Sequence, residues 1–254
     1  LRNIKLLLQY DGTNYHGWQK QPGMPTIQGA LEDAVRRITG EEVSITGASR
    51  TDKGVHALGQ VASFLTQSEL PADILARALD AKLPEDIAIL SAEDVKIEFN
   101  ARHSALGKWY RYFLLCGRKK SPFLSRYCAL FADSLDAERM REATKILIGT
   151  HNFSAFGAQV GPDDDTVCTL QSIEIAGCMP TIPASSPEKL LAIDVKGDRF
   201  LYKMVRTVCG TLFEVGRGRW EPQVVNDILQ SGDRHRAGQT LPACGLFLME
   251  VRYR

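Results

Sequence analysis

Strand-like and helix-like periodicities follow one another in the same order twice along this 254-residue chain. That recurrence narrows the fold more than any single residue does. Residues 3–10 read as a strand. Thr26 then stands where a helix N-cap belongs, with Ile27, Ala30, Leu31, Ala34, Val35 and Ile38 on one face and Gly40 as the stop. Strand-like stretches follow at 43–47 and 59–66. Pro71 opens a second helix to about Leu83, and 87–95 ends the half as a strand. The order is β-α-β-β-α-β, the ferredoxin-like arrangement. The second half repeats it with insertions: a strand at 109–116, a helix at 136–148 ended by Gly149, strands at 167–175 and 189–195, a helix over 199–214, and a closing strand at 245–253. The crossover falls near 100–108, which gives domains 1–104 and 105–254. The class expected is α+β: two ferredoxin-like halves with adjoining, mostly antiparallel sheets and a cleft between them.

Composition agrees with a protein that buries a core, with 44% hydrophobic and 24% charged residues. No apolar run approaches the roughly 18–20 residues that span a bilayer, and no secretory cleavage pattern marks residues 1–10, so the expected location is the cytosol. The six cysteines are scattered without a C-x-x-C pair, and the five histidines do not group with them, which predicts reduced thiols and no metal. Net charge is only +1, but its distribution is uneven. Between Lys196 and Arg219 six basic residues face two acidic ones, and Arg118, Lys119, Lys120 and Arg126 form a second cluster. Either stretch suits a phosphate-binding surface or a solvated face. The insertions at 157–166, with Asp163, Asp164 and Asp165, and at 179–187 read as loops, and no chemistry is assigned to the three aspartates.

The most informative segment is 47–60, Gly-Ala-Ser-Arg-Thr-Asp-Lys-Gly-Val-His-Ala-Leu-Gly-Gln. A strand ends near Gly47 and an apolar strand begins near Gln60, so Arg50 and Asp52 fall on a loop, with Gly54 free to make a tight turn. The Lys53-Gly54 order and the glycine spacing do not fit a phosphate-cradling P-loop.

Six stretches in this order resemble the TruA-type tRNA pseudouridine synthases. The first is 10–19, Tyr-Asp-Gly-Thr-Asn-Tyr-His-Gly-Trp-Gln, followed by Thr-Ile-Gln-Gly at 26–29. The second, 49–56, matches the motif whose aspartate is catalytic in that family. The others are 99–105 with the Lys108–Tyr112 segment, then 149–156, 200–206, and 233–240 running into 245–248. The resemblance implies isomerisation of uridine to pseudouridine at positions 38, 39 and 40 of the tRNA anticodon stem-loop, by a homodimer that needs no cofactor. Asp52 corresponds to the attacking carboxylate, Arg206 to its cationic neighbour, and Tyr110 to the active-site tyrosine. Arg50 corresponds to the arginine that contacts RNA and fills the gap left by the flipped nucleotide. Asp52, Tyr110 and Arg206 are expected to converge in the cleft.

A carboxylate suits this chemistry because it adds to an electrophilic carbon and leaves again. Attack at the ribose C1′, attack at the base C6, and removal of a ribose proton all remain open. No second carboxylate sits in the motif as the paired acid of a glycosidase. The competing readings are an inert RNA-binding protein and a carboxylate-dependent hydrolase. The first lacks RNP-type exposed aromatics, and the second differs in its products. Three residues depart from the family pattern: Ser49 for a glycine, Lys53 for a small residue, and Cys168 for an arginine.

Overall fold

The computed structural model describes residues 1–117, 121–178 and 189–254. Arg118, Lys119 and Lys120 of the second basic cluster, and the insertion at 179–187, lie outside the described residues. The chain is mixed α+β and divides into two compact units, Leu1–Leu106 with Phe247–Arg254, and Gly107–Leu246.

In the first unit, β1 (Arg2–Tyr10) is the central strand. It pairs antiparallel with β3 (His56–Thr66) on one side and β4 (Ile87–Val95) on the other. The two-residue β2 (Thr46–Gly47) pairs antiparallel with β3 beyond it, so the order β4-β1-β3-β2 is that of a ferredoxin-like sheet. Helices α1 (Ile27–Thr39) and α2 (Ala72–Asp80) pack their apolar stripes inward, with Ile27, Leu31, Val35, Leu75 and Leu79 fully buried. Thr26 caps α1, its side chain accepting from the Gly29 N–H. Gly40 ends α1 at φ 76°, the left-handed conformation that glycine adopts without a Cβ penalty. The strand expected over 43–47 shrinks to two residues for a local reason. Side chains of α1 take the main chain of Ile45 instead: Gln28 Nε2 donates to its carbonyl at 3.1 Å and Glu32 Oε1 accepts from its N–H at 3.2 Å.

In the second unit β5 (Gly107–Cys116), β9 (Lys189–Gly197) and β8 (Val167–Cys178) form an antiparallel run in that order. The short β7 (Gly149–Asn152) lies outside β8, and β6 (Ala129–Phe131) pairs parallel to β5. Helix α3 (Ala137–Leu147) has Asp136 as its N-cap, which accepts from the N–H groups of Glu138 and Arg139. Helix α4 (Met204–Gly216) is the buried centre of the unit. The sequence placed its start near Arg199. The helix begins five residues later because Lys203 adopts φ 60°, a left-handed turn that a right-handed helix cannot pass through. Helix α5 (Val224–Ser231), β6 and β7 were not anticipated. The final strand, β10 (Leu246–Arg252), pairs parallel with β3 through Phe247 and Leu248, which is why its residues group with the first unit.

The cap on α3 gives a direct check of this local analysis. Asp136→Ala removes an acceptor shared by two first-turn N–H groups and is expected to cost about 1 kcal/mol. That loss corresponds to a fall of roughly 2–4 °C in the thermal midpoint, read by circular dichroism.

Candidate active site

The loop carrying Asp52 is held on every side by main-chain contacts. Ala48 N–H donates to Val61 O at 2.8 Å, and Val55 N–H closes a turn onto Asp52 O at 3.1 Å, with Gly54 at φ 77°. Segment 11–18, which leads from β1 toward α1, lies along the same loop. Trp18 N–H donates to Thr51 O at 3.0 Å, and Gly12 N–H donates to His56 Nδ1 at 3.1 Å. A Cβ on Gly12 would stand 2.0 Å from Val55 O, and one on Gly17 would stand 2.6 Å from Thr51 O. Only bare backbone allows this approach.

That bracing segment is itself anchored. Asp11 N–H donates to Asp86 O at 2.9 Å, and the Tyr15 hydroxyl donates to the Asp86 carboxylate. Burial, and then the neighbouring Asp86 charge, raise the Tyr15 hydroxyl above its ordinary value, so it remains a donor.

Beneath the loop lies Gln60, with no exposed surface. Its Oε1 accepts from Ser49 N–H at 3.2 Å and its Nε2 donates to Ser49 O at 2.8 Å and to the Tyr10 hydroxyl at 3.2 Å. The Tyr10 hydroxyl pairs in turn with Thr51 Oγ1 at 2.8 Å. A buried amide that satisfies a loop's main chain fixes the loop's height above the sheet, because each group would otherwise lose water without recompense. Ser49 and Thr51 are buried, Asp52 is half-buried, and Arg50 is exposed. The loop therefore buries much of its own polar backbone and holds the half-buried Asp52 carboxylate between the exposed Arg50 and Lys53.

The second unit carries Tyr110 and Arg206. On β5 the two-residue period turns Tyr110, Tyr112 and Leu114 inward. Trp109 and Arg111, on the other face, both hold Asp194: the indole N–H at 2.6 Å, and the guanidinium through two bonds of 2.8 and 2.9 Å. Tyr110 packs edge-on against Phe200, with ring centroids 5.1 Å apart. On α4 every residue but Arg206 is buried.

Segment 234–242 crosses α4 and ties it to β5. Arg206 Nε donates to Leu241 O at 2.7 Å, Leu241 N–H returns to Arg206 O at 3.3 Å, and the Tyr112 hydroxyl donates to the adjacent Pro242 O at 2.7 Å. Gly238 N–H donates to Thr211 Oγ1 at 3.0 Å, and Arg234 grips both Gly238 O at 3.0 Å and Thr240 Oγ1 at 2.8 Å. A Cβ on Gly210 would lie 1.9 Å from Gln239 O, so the strap touches the helix axis backbone to backbone. Arg206 thus spends one guanidinium nitrogen on holding its position against the strap.

Asp52 and Arg50 stand together on one loop of the first unit. Tyr110 and Arg206 stand on two elements of the second that the strap connects. The departures from the family pattern are accommodated locally. Ser49 contributes main chain to Gln60, Lys53 Nζ lies 3.1 Å from His16 Nε2, and Cys168 is fully buried, its thiol pushed up to about 11 by burial. Asp164 closes its own turn onto Gly161 N–H, and Asp165 pairs with Arg199. Among the described residues no group of three His, Cys, Asp or Glu could hold a metal. The supporting residues Tyr10, Gln60, Arg234 and Leu241 were not singled out as functional, although most lie within or beside the six stretches.

The family model described as tRNA pseudouridine synthase matches residues 7–104 and 143–254. The chain belongs to that family, and with it to the isomerases that act on tRNA. A relative from Acetivibrio thermocellus named tRNA pseudouridine synthase A is 43% identical over 253 residues, covering 100% of both chains. One of the same name from Thermoanaerobacter pseudethanolicus is also 43% identical over 253 residues with 100% coverage of each. A Clostridium tetani protein named tRNA pseudouridine synthase A 2 is 45% identical over 254 residues, covering 99% of each. Among solved structures, a chain of a Cbf5-Nop10-Gar1 complex overlays 82% of this chain and 54% of its own at a TM-score of 0.30 and 10% identity, too distant to bear on fold or function. Tyr110 falls between the two matched segments of the family model.

Two substitutions test the supports. Gln60→Leu leaves buried groups of Ser49 and Tyr10 without partners and is expected to cost roughly 1–3 kcal/mol in urea unfolding. Gly210→Ala forces the strap off α4 and is expected to lower stability by about 1–3 kcal/mol. An unchanged midpoint for either variant contradicts the corresponding support.

Proposed function

We propose that this chain isomerises uridine to pseudouridine at positions 38, 39 and 40 of the tRNA anticodon stem-loop, with Asp52 as the attacking carboxylate. The observation that carries the reading is the Asp52 loop: an immobilised main chain that offers one half-buried carboxylate, in a chain of this family. The reaction breaks the C1′–N1 bond, turns the uracil, and rejoins it through C5, with the C5 proton lost and N1 protonated. A carboxylate supports each route left open by the sequence: addition at C1′, addition at C6, or removal of a ribose proton. A fixed loop favours any of them, since a nucleophile held in place forgoes the entropy of being positioned at each turnover.

Arg50 occupies the space vacated by the flipped nucleotide, which offsets part of the few kcal/mol that unstacking costs. Tyr110 offers a ring for the extruded uracil to stack on and a hydroxyl for proton transfer at the base. Arg206 supplies the cation that keeps the attacking carboxylate ionised with substrate bound. The enzyme works in the cytosol as a homodimer without metal or organic cofactor. Pairing two copies doubles the basic surface that a chain of net charge +1 offers to RNA.

The test incubates the protein with unmodified tRNA transcript and maps pseudouridine by position. Wild type is expected to modify U38–U40 and release no free uracil. Asp52→Asn is expected to lower turnover by on the order of 10³-fold or more, with tRNA affinity retained. Normal turnover by that variant defeats the assignment of Asp52, and free base among the products favours the hydrolase instead.

A further inference from the structure

Beside the Asp52 loop, within the first unit, lies a concave site of about 240 Å³ of which the proposed chemistry uses only Arg50. Its floor is Trp18, 1% exposed, packed against Gly47, where a Cβ would stand 2.3 Å from the indole ring. Its rim is Arg50, Arg102 and His103, and no lining residue is acidic. Five of the first unit's other cations are paired with carboxylates: Arg2 with Asp94, Lys5 with Glu93, Lys20 with Glu32, Arg36 with Asp33, and Arg77 with Asp73. Among the described residues no carboxylate pairs with Arg50 or Arg102. Two unpaired guanidiniums on one polar concavity define a site for an anion.

The turn that presents Arg102 and His103 is built to hold still. Asn100 Oδ1 accepts from the N–H groups of both residues at 3.0 and 3.1 Å, and Asn100 N–H donates to Ser104 Oγ at 3.1 Å. Ala101 N–H donates to Ser63 Oγ on β3 at 3.0 Å, and the Tyr253 hydroxyl closes the other side onto Ala101 O at 2.6 Å. Asn3 Nδ2, from β1, holds the approach through the carbonyls of Lys96, Ile97 and Phe99. The turn's main chain is consumed internally, while the side chains of Arg102 and His103 remain exposed. Such rigidity is unnecessary for a solvated surface arginine and useful for one that must meet a ligand without paying for order.

The volume is below the roughly 300–1,000 Å³ of a small-molecule pocket, so it fits one backbone unit better than a cofactor. We propose that Arg102, with His103 and the outer side of Arg50, binds a phosphodiester of the tRNA backbone next to the nucleotide that Asp52 attacks. The proposal rests on the tRNA reading above. Arg50 serves both, touching the flipped nucleotide's stack on one side and its neighbouring phosphate on the other. Arg102 is a positioning contact that carries no base information.

Arg102→Gln separates this from a bland surface role. tRNA affinity is measured against salt concentration, and steady-state kinetics are taken on the transcript used above, with the thermal midpoint as the folding control. The expected result is a salt slope shallower by about one, an affinity several-fold weaker at 0.15 M salt, and a kcat/KM lowered through KM. Arg102→Lys is expected to recover much of the slope but less of the affinity, since an ammonium keeps the charge and loses the fork. An active wild type with an unaltered slope and KM in Arg102→Gln overturns the site and leaves the function standing. A wild type that fails to bind tRNA overturns both. Binding of inorganic phosphate that is lost in Arg102→Gln while tRNA affinity is unchanged assigns the site to a free anion and overturns the RNA contact.

Discussion

Both functional elements depend on backbone lying directly against backbone. The Asp52 loop is pressed by segment 11–18 at Gly12 and Gly17, and helix α4 is pressed by the strap at Gly210 and Gly238. At these places the spacing is set by main-chain atoms, which have no rotamers and cannot drift as side chains do. A carboxylate or guanidinium mounted on such a seam inherits its precision. The cost is intolerance: any side chain at the seam meets a carbonyl or an amide at well under 3 Å, and relief requires moving an element rather than a χ angle.

Charge is handled differently on the two faces of each element. On β5, Arg111 and Trp109 spend themselves on Asp194, while Tyr110 and Tyr112 turn inward, one toward Phe200 and the other onto the strap. Burial raises the Tyr112 hydroxyl above its ordinary value despite the opposing influence of Arg206, so it stays a neutral donor to Pro242. Tyr112 is therefore a strut, whereas Tyr110 meets the Phe200 ring.

Much of this is legible in the amino-acid sequence. The caps at Thr26, Gly40 and Asp136, the strand at 87–95 and the two-fold β-α-β-β-α order follow from local chemistry, which tertiary contacts did not override. The misreadings have equally local causes. Lys203 looks like an ordinary helical residue, and nothing in its side chain announces φ 60°. Residues 43–45 alternate like a strand, yet Gln28 and Glu32 reach over to claim Ile45. Helix α5 carries Val225, Ile228 and Leu229 at helical spacing, a signal that eight residues make faint. Of the candidate site, Asp52, Arg50, Tyr110 and Arg206 came from family resemblance. The buried Gln60 and the grip of Arg234 on the strap did not, because hydrogen bonds between segments far apart in sequence leave no periodicity to read.

The pairing of Phe247 and Leu248 with β3 makes the first unit discontinuous in sequence. His56 stacks on Phe247 with centroids 4.6 Å apart, Leu106 N–H reaches Arg252 O, and Phe99 meets Tyr253. On a ribosome these partners emerge only after the whole of Gly107–Leu246, on the order of ten seconds or more later at ordinary elongation rates. Until then the nascent first unit carries an open sheet edge at the start of β3 and an unstacked imidazole beside the segment that bears Asp52. The Asp52 loop is thus translated well before the strand that completes its sheet edge, which makes the finished setting of that loop depend on synthesis of the second unit.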